Sequence, residues 1–521
     1  MNRRAEIKYY FLVLYLILII FSSCKEKKYS PDNNNITSES SRDSTIQNKS
    51  ADSITQNNNS DKAQDADIML LISTFLGNNS RNYYGNTAPS KLDLIWKHWL
   101  GGGRSRMPNG DAILFGAGWT GQPLLISEKG KLYLFQGALD HNLKKIDAES
   151  GELIWEYEFD DVIKATGTLW YNANEKEEDN RLVVLQGTRQ GYKYYMGSKY
   201  IWSYRCISGI TGKELYRINV KRTESGSRDV DGSASVVNDT AYVGFENGIF
   251  TVFNPDVSSA ENSGDYNEPE IIQEIKLYDK SDLSRHGSNV ITESSPCRIG
   301  NMLYMAAGSG HVYGYDIIKK EITWDFYIGS DLNGSCVATF DKCILVTVEK
   351  QYIQGRGGVL KLDPSKTEDE AVVWYFAVNN KSFFDWDGGV IGSPAVNDNY
   401  TQDGELHLAA FTGIDGYVYV VEHNVFEEGE TEIGFDGRQK YAKPRLVYKY
   451  KTGASISSPI ILRNRLVAAG YSGLYLFGYN AEAEFELIDK RQGGFEATPI
   501  AWDGRIYIGS KDGWLYCLGD E

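Results

Sequence analysis

The stretch SGHVYGYDIIKKEITWDFYI, residues 309–328, carries the pattern that decides the fold. Apolar and variable residues alternate up to Tyr315, as they do in a half-buried β-strand. The chain then turns at Asp316–Lys320 and resumes as a second strand built around Trp324. The first half recurs as DGYVYVVE (415–422) and DGWLYCLG (512–519), and the second as GELIWEYEF (151–159) and AVVWYFAV (371–378). Small residues open each copy: GQP (121–123), TGT (166–168), GSA (232–234), SSP (294–296), GSC (334–336), GSP (392–394), SSP (457–459) and ATP (497–499). These starts are spaced 40 to 66 residues apart, the period of a four-stranded propeller blade with variable loops.

The last copy stops after its third strand, at the C-terminus. A fourth strand of the right kind stands at the other end, LDLIWKHWL (92–100), with Trp96 in the place of Trp155, Trp324 and Trp374. An open final blade would leave unpaired edges, and closure by the N-terminal strand removes them. The expected fold is therefore all-β, an eight-bladed β-propeller spanning 67–521 whose last blade is assembled from both ends. Composition agrees: of 521 residues 13% are aromatic, with 52 Gly and only 6 Met, which suits many short strands and tight turns.

Asp147, Gly151 and Trp155 stand at offsets of zero, four and eight. Asp316 and Trp324 repeat the outer spacing with Lys320 at the Gly position, Gly212 and Tyr216 keep a weaker version, and Asp363 to Trp374 carries three extra residues. This pattern resembles the tryptophan-docking repeat of pyrroloquinoline-quinone (PQQ)-like propellers, and GNNSRNYYG (77–85) resembles the approach to their first blade. The resemblance implies that Trp96, Trp155, Trp324 and Trp374 dock each blade on its neighbour. It says nothing specific about function, because such rings host enzymes and binding modules alike. Quinoprotein dehydrogenases of this ring size need PQQ, calcium, an aspartate base and, in many, two adjacent cysteines. Cys24, Cys206, Cys297, Cys336, Cys343 and Cys517 include no adjacent pair and no C-x-x-C-H haem motif. No cofactor is expected; PQQ and calcium belong to the enzyme alternative.

Arg3, Arg4 and Lys8 precede an apolar run from Tyr9 to Phe21, too short to span a bilayer and right for a signal-peptide core. The run ends in Phe21-Ser22-Ser23-Cys24, which resembles the lipobox of bacterial lipoproteins, with Phe21 where Leu is usual. Residues 1–23 then read as a lipoprotein signal peptide and Cys24 as the lipid-attachment residue; Lys25 after it argues against inner-membrane retention and for the outer membrane. Residues 24–66, rich in Asn and Ser, hold too few apolar side chains to build a core and read as a disordered linker. The net charge of −16 becomes −18 without residues 1–23, a poor match for a phosphate backbone, so nucleic acid is excluded as the main partner.

Cys336 and Cys343 lie on adjacent strands of one blade, where they are either buried thiols or a disulfide. The six histidines show no metal-ligand spacing, and no metal is expected. Two acidic turns, Asp229-Val230-Asp231-Gly232 and Asp385-Trp386-Asp387-Gly388, lack the further ligands of a calcium loop and read as turns bonded to their own backbone. Loops entering the inner strands share one face with loops between second and third strands. That face brings together Trp119, Arg228, Asp231, Arg285, His286, Trp386 and Asp387, the candidate binding residues. Excursions at 254–270 and 423–445, on the opposite face, read as solvated. The expectation is a non-enzymatic, lipid-anchored interaction scaffold of the bacterial cell envelope with a protein partner. It resembles the propeller lipoprotein of outer-membrane β-barrel assembly, and its rivals are a quinoprotein dehydrogenase and a surface glycan- or peptide-binding module. Cys24→Ala should release the protein from the membrane fraction with its melting curve unchanged, and retention with an uncleaved signal would contradict the lipid reading.

Overall fold

The computed structural model describes residues 67–107, 110–195 and 197–520. The segments read as signal peptide (1–23) and linker (24–66), with Cys24, lie outside the described residues. Eight four-stranded antiparallel meanders, one of them widened by a fifth strand, make the blades, each running from an inner to an outer strand. Blade 1 runs from Leu124–Glu128 to Leu153–Glu158, blade 2 from Thr168–Tyr171 to Glu214–Ile218, blade 3 from Ser235–Val237 to Ile271–Lys276 and blade 4 from Cys297–Ile299 to Glu321–Tyr327. Blade 5 runs from Val337–Ala338 to Val372–Ala377, blade 6 from Ala395–Val396 to Lys440–Lys451 and blade 7 from Ile460–Leu462 to Phe485–Arg491, and blade 8 begins at Ile500–Trp502. Blade 8 is closed as its sequence implies. Asp93–Trp99 pairs antiparallel with Trp514–Gly519, Asp93 opposite Gly519 and Trp99 opposite Trp514. Among the described residues the five cysteines are free and buried, so Cys336 and Cys343 are thiols.

The docking tryptophans reach across blade boundaries. Trp96 of blade 8 donates Nε1–H to the Ala148 carbonyl of blade 1 at 3.2 Å, and a Cβ on Gly151 would lie 2.7 Å from its ring. Trp155 packs in the same way on Gly212 of blade 2. Trp324 donates to the Lys366 carbonyl of blade 5 at 3.1 Å, and Trp374 to the His423 carbonyl of blade 6 at 2.9 Å. Asp147 and Asp316 each accept two backbone N–H groups in the turn that receives the neighbour. Where Tyr216 replaces Trp, its hydroxyl reaches the Pro255 carbonyl of blade 3 at 3.1 Å, which explains how the weaker repeat still docks.

The small residues that open each copy form a belt of hydrogen bonds around the axis. Gln122 N donates to Thr166 Oγ1 at 2.7 Å, and Ser233 Oγ to Thr166 O at 2.7 Å. Ser233, Ser295, Ser335 and Ser393 each donate their backbone N–H to the hydroxyl of the next blade's serine, ending on Ser458, at 2.8–2.9 Å. Ser457 Oγ donates to Ala497 O at 2.8 Å, and Gln122 Nε2 donates to Pro499 O at 3.0 Å. Every boundary between blades is crossed, including the one that closes the ring.

Residues 68–87 close one face. Ile68–Ile72 pairs with Leu124–Glu128 as a fifth strand of blade 1. The next segment then crosses the ends of the inner strands. Thr74 bonds Ala234, Asn79 bonds Val236, Asn82 bonds Ala338, and Tyr84 accepts from Val396 N. Arg81, fully buried, donates to Pro296 O at 2.9 Å, Thr74 Oγ1 and Phe75 O at 2.8 Å, and Ser235 Oγ at 2.9 Å. It has only neutral acceptors, and burial lowers its pKa to about 9.

The two excursions are solvated over much of their length, as expected, yet each is anchored on the blade before it. Phe435, at the end of the long hairpin formed by Tyr417–Ile433 and Lys440–Lys451, packs with its ring centroid 6.0 Å from Tyr375 of blade 5. Asn267 in the other excursion donates to Leu215 O on the outer strand of blade 2, and Tyr266 stands 4.3 Å from Trp202. Both fold back over the preceding blade, where an outer strand would otherwise present an open edge. Trp374 is fully buried at such a boundary, so Trp374→Ala should destabilise the ring by about 3–5 kcal/mol and visibly lower the melting temperature. An unchanged melt would contradict the docking role.

Candidate functional site

With one mouth crossed by residues 68–87, the loops of the other mouth form a cavity of about 360 Å³. Its lining comes from blades on both sides of the ring: Trp119 before blade 1, Glu293 before blade 4, Asp331 and Asn333 before blade 5, Asp385 and Trp386 before blade 6, and Ile456 before blade 7. Glu349 and Gln351 enter from the loop between the second and third strands of blade 5. Trp119 and Trp386 rest on a small apolar cluster of Ile391, Ile414 and Ile456. A larger depression of about 430 Å³ lies against blade 7 and the loop that leaves it toward blade 8. The axial cavity, by contrast, is assembled by several blades.

The electrostatics of the cavity are one-sided. Lys164 Nζ stands 2.6 Å from Asp231 Oδ2 and 3.8 Å from Glu246 Oε1, and Arg189 Nε is 2.9 Å from Asp229 Oδ2. Asp231, Glu246 and Glu293 bring carboxylate oxygens within 4.8 Å of one another. Burial pushes Glu246 and Glu349 up to about 8, raises Asp331, and raises Glu293 well above the carboxylate range. Away from Lys164 the acids meet neutral amides: Glu349 accepts from Asn333 Nδ2 at 2.6 Å and Asp331 from Asn289 Nδ2 at 2.8 Å. Asp231 Oδ1, Glu246 Oε1, Asp331 Oδ1 and Gln351 Oε1 are buried without a hydrogen-bond donor.

The residues singled out from the sequence divide into two groups. Trp119, Asp231 and Trp386 belong to the cavity or its wall, and Trp119 Nε1 points at Asp231 Oδ2 from 3.4 Å. Asp387 is exposed beside Trp386. His286 and Arg285 end a short helix at the rim. His286 is buried edge-on against Tyr352, with its pKa lowered by burial, and Arg285 lies over Tyr327. Arg228 is a correction. It is fully buried and donates to the Val220 and Ser198 carbonyls, so it braces two loops and offers nothing to a partner. The first acidic turn also differs from expectation. Asp229 and Asp231 answer the side chains of Arg189 and Lys164, not their own turn.

Sequence reasoning missed Lys164, Glu246, Glu293 and Glu349. The available signal was a single charged residue in an apolar run, Val162-Ile163-Lys164-Ala165, just before an inner strand. It also missed a cluster on the plugged face, where Asp398 Oδ1 accepts from His407 Nδ1 at 2.8 Å and His423 Nε2 at 3.0 Å. Lys361 Nζ, which can only donate, faces His423 Nδ1 at 3.4 Å, so the His423 proton sits on Nε2 and points at Asp398. That arrangement is a closed hydrogen-bond network in which His423 has no free lone pair for a metal.

No protein-family model matches this chain, and no curated protein matches it. Solved structures do. BamB from Moraxella catarrhalis aligns with a TM-score of 0.49 at 9% identity, covering 82% of this chain and 100% of that one. Quinohemoprotein alcohol dehydrogenase from Comamonas testosteroni aligns with a TM-score of 0.49 at 12% identity, covering 86% and 80%. The computationally designed Ika8 protein aligns with a TM-score of 0.46 at 13% identity, covering 82% and 100%. The likeness is one of fold.

A quinone cofactor and its calcium can be tested against the residues themselves. PQQ is a tricarboxylate and needs donors and positive charge, whereas the cavity offers surplus acceptors. A calcium ion would need the oxygens of Asp231, Glu246 and Glu293, and the Lys164 ammonium already stands 2.6 Å from Asp231. The residues fit neither group.

The raised carboxyls also set a pH dependence. Glu246 and Glu349 hold protons in the folded state up to about pH 8, whereas unfolded they ionise near 4.5. Folding therefore takes up protons between these values, and stability should fall as pH rises from about 5 to 8.5. Glu349→Gln should flatten that decline and raise the melting temperature at pH 8.5. A melting temperature that climbs over this interval, or a Gln variant with the same slope, would contradict the assignment.

Proposed function

We propose that this chain is a non-enzymatic binding propeller of the bacterial cell envelope, tethered through lipid at Cys24, that recognises a protein partner at its open mouth. One observation carries the reading: one mouth is stitched shut by residues 68–87, while the other converges loops from five blades on a single aromatic and acidic cavity. The loops entering blades 1 and 6 place Trp119 and Trp386 in the lining of that cavity, the kind of aromatic anchor on which binding energy concentrates. Envelope location and the outer membrane follow from the lipobox-like Phe21-Ser22-Ser23-Cys24 and from Lys25. No helix among the described residues is long and apolar enough to cross a membrane. Outer-membrane protein assembly is the role that the propeller resemblance suggests. A dehydrogenase reading gains no support from a cavity whose unsatisfied atoms are all acceptors.

The test is capture from detergent-solubilised membranes. The full chain should bring down a defined partner at stoichiometric yield. Trp386→Ala with Trp119→Ala should lose it while melting as the parent does, since a central aromatic anchor is worth about 2 kcal/mol or more. Capture that survives both changes would move the recognition surface elsewhere.

A further inference from the structure

We infer that the axial cavity takes an organic cation, a primary ammonium or a guanidinium, presented most simply as a Lys or Arg side chain of the partner; this rests on the open mouth being the recognition face. The argument begins with hydrogen-bond accounting. Every cavity atom left without a partner is an oxygen that can accept: Asp331 Oδ1 and Gln351 Oε1 in the lining, and Asp231 Oδ1 and Glu246 Oε1 beside it. Asp331 is only 7% exposed and Glu349 only 5%, so these groups have lost most of their water. A buried acceptor without a donor costs free energy, and a ligand rich in N–H groups recovers it. An anion would add to the deficit.

The protein supplies its own demonstration in half of this region. Lys164 places an ammonium at 2.6 Å from Asp231 and 3.8 Å from Glu246, and that resident ammonium opposes a metal ion among the same acids. The other half, around Asp331, Glu349 and Gln351, has the same acidic lining with amides in place of a cation. Trp119 and Trp386 line the same cavity, and indole is the best aromatic partner for a cation. A volume of about 360 Å³ admits a side chain but not a folded segment. The elevated carboxyls complete the chemistry. A cation favours their ionised form, so binding should release protons and strengthen as pH rises toward 8.

The test uses the full chain with 1,5-diaminopentane, N-acetyl-arginine amide and a tri-lysine peptide as probes, with calcium chloride as the control. Tryptophan fluorescence and calorimetry are read at pH 6.5 and 8.5. Saturable binding of ammonium or guanidinium probes, at least tenfold tighter at pH 8.5 and with proton release, is the expected result. Asp331→Asn with Glu349→Gln should weaken it at least tenfold, and Trp386→Phe should remove most of the fluorescence change. Tighter binding of the peptide than of the free diamine assigns the cation to a protein partner, and the reverse assigns it to a free amine; both support the site. Calcium binding alone, or no saturable binding of any amine or guanidinium, overturns it. If no amine or guanidinium probe binds yet the full chain still captures the partner, and the Trp119/Trp386 variant loses it, the cation inference falls and the recognition face stands.

Discussion

The hydrogen-bond belt around the inner strands is the constraint from which the rest follows. Eight sheets of four strands have no reason of their own to form a ring, and each boundary needs a contact that sets both distance and register. A serine or threonine hydroxyl meets that need because it is short, so the strands must come close, and because it both donates and accepts. Ser295 receives the Ser233 N–H, and its own N–H goes to Ser335, so adjacent boundaries share atoms. At the closing boundary Gln122 takes over, with one side-chain amide group reaching Pro499 O and its oxygen accepting from Leu76 N. At four boundaries a tryptophan, and at a fifth Tyr216, then braces the blade at the far radius against its neighbour's turn. At those boundaries belt and brace act at two radii, which fixes the tilt of the blade.

The same construction gives the molecule two unlike faces. Residues 68–87 answer the backbone groups exposed at one end of the inner strands, with Arg81 as their centre. A guanidinium with five donors can satisfy carbonyls from several blades at once without a carboxylate. Such a position would be costly for lysine, whose compact charge is more strongly hydrated. Among the described residues no segment crosses the other mouth, and the entering loops bring acids and indoles together above the axis. A closed floor and an open mouth make the two faces unlike, a sidedness that the fold alone does not require.

Electrostatics then decides what the mouth can hold. Six acidic side chains, Asp229, Asp231, Glu246, Glu293, Asp331 and Glu349, gather near the axis, and Lys164 and Arg189 answer part of that charge. Burial converts the remainder into raised carboxyl pKa values, so the site stores protons that a cationic guest can displace. That is a binding chemistry, and it differs from what a quinone requires. Arg228 shows the converse: an arginine in an exposed-looking loop is spent on holding backbone carbonyls.

The blade count, the closing strand and the docking tryptophans were legible in the primary sequence because each rests on local spacing. Alternation every two residues, small residues at strand starts and Trp eight positions after Asp are visible without knowing any distant contact. The aromatic part of the mouth was legible for the same reason, since the topology of a meander places Trp119 and Trp386 on one face. The acidic cavity was not. Lys164, Glu246, Glu293 and Glu349 lie in loops of different blades, and no spacing links them until the belt brings the loops together. His407 and His423 likewise became neighbours only because a long antiparallel blade places them on either side of Asp398. Nor could the sequence tell the buried Arg228 from an exposed one, since its partners are carbonyls that every residue carries. Local periodicity determined the ring by itself; which charges share a desolvated space was decided by tertiary structure, because the interaction of charges depends on distance and burial, and neither is written in the order of residues.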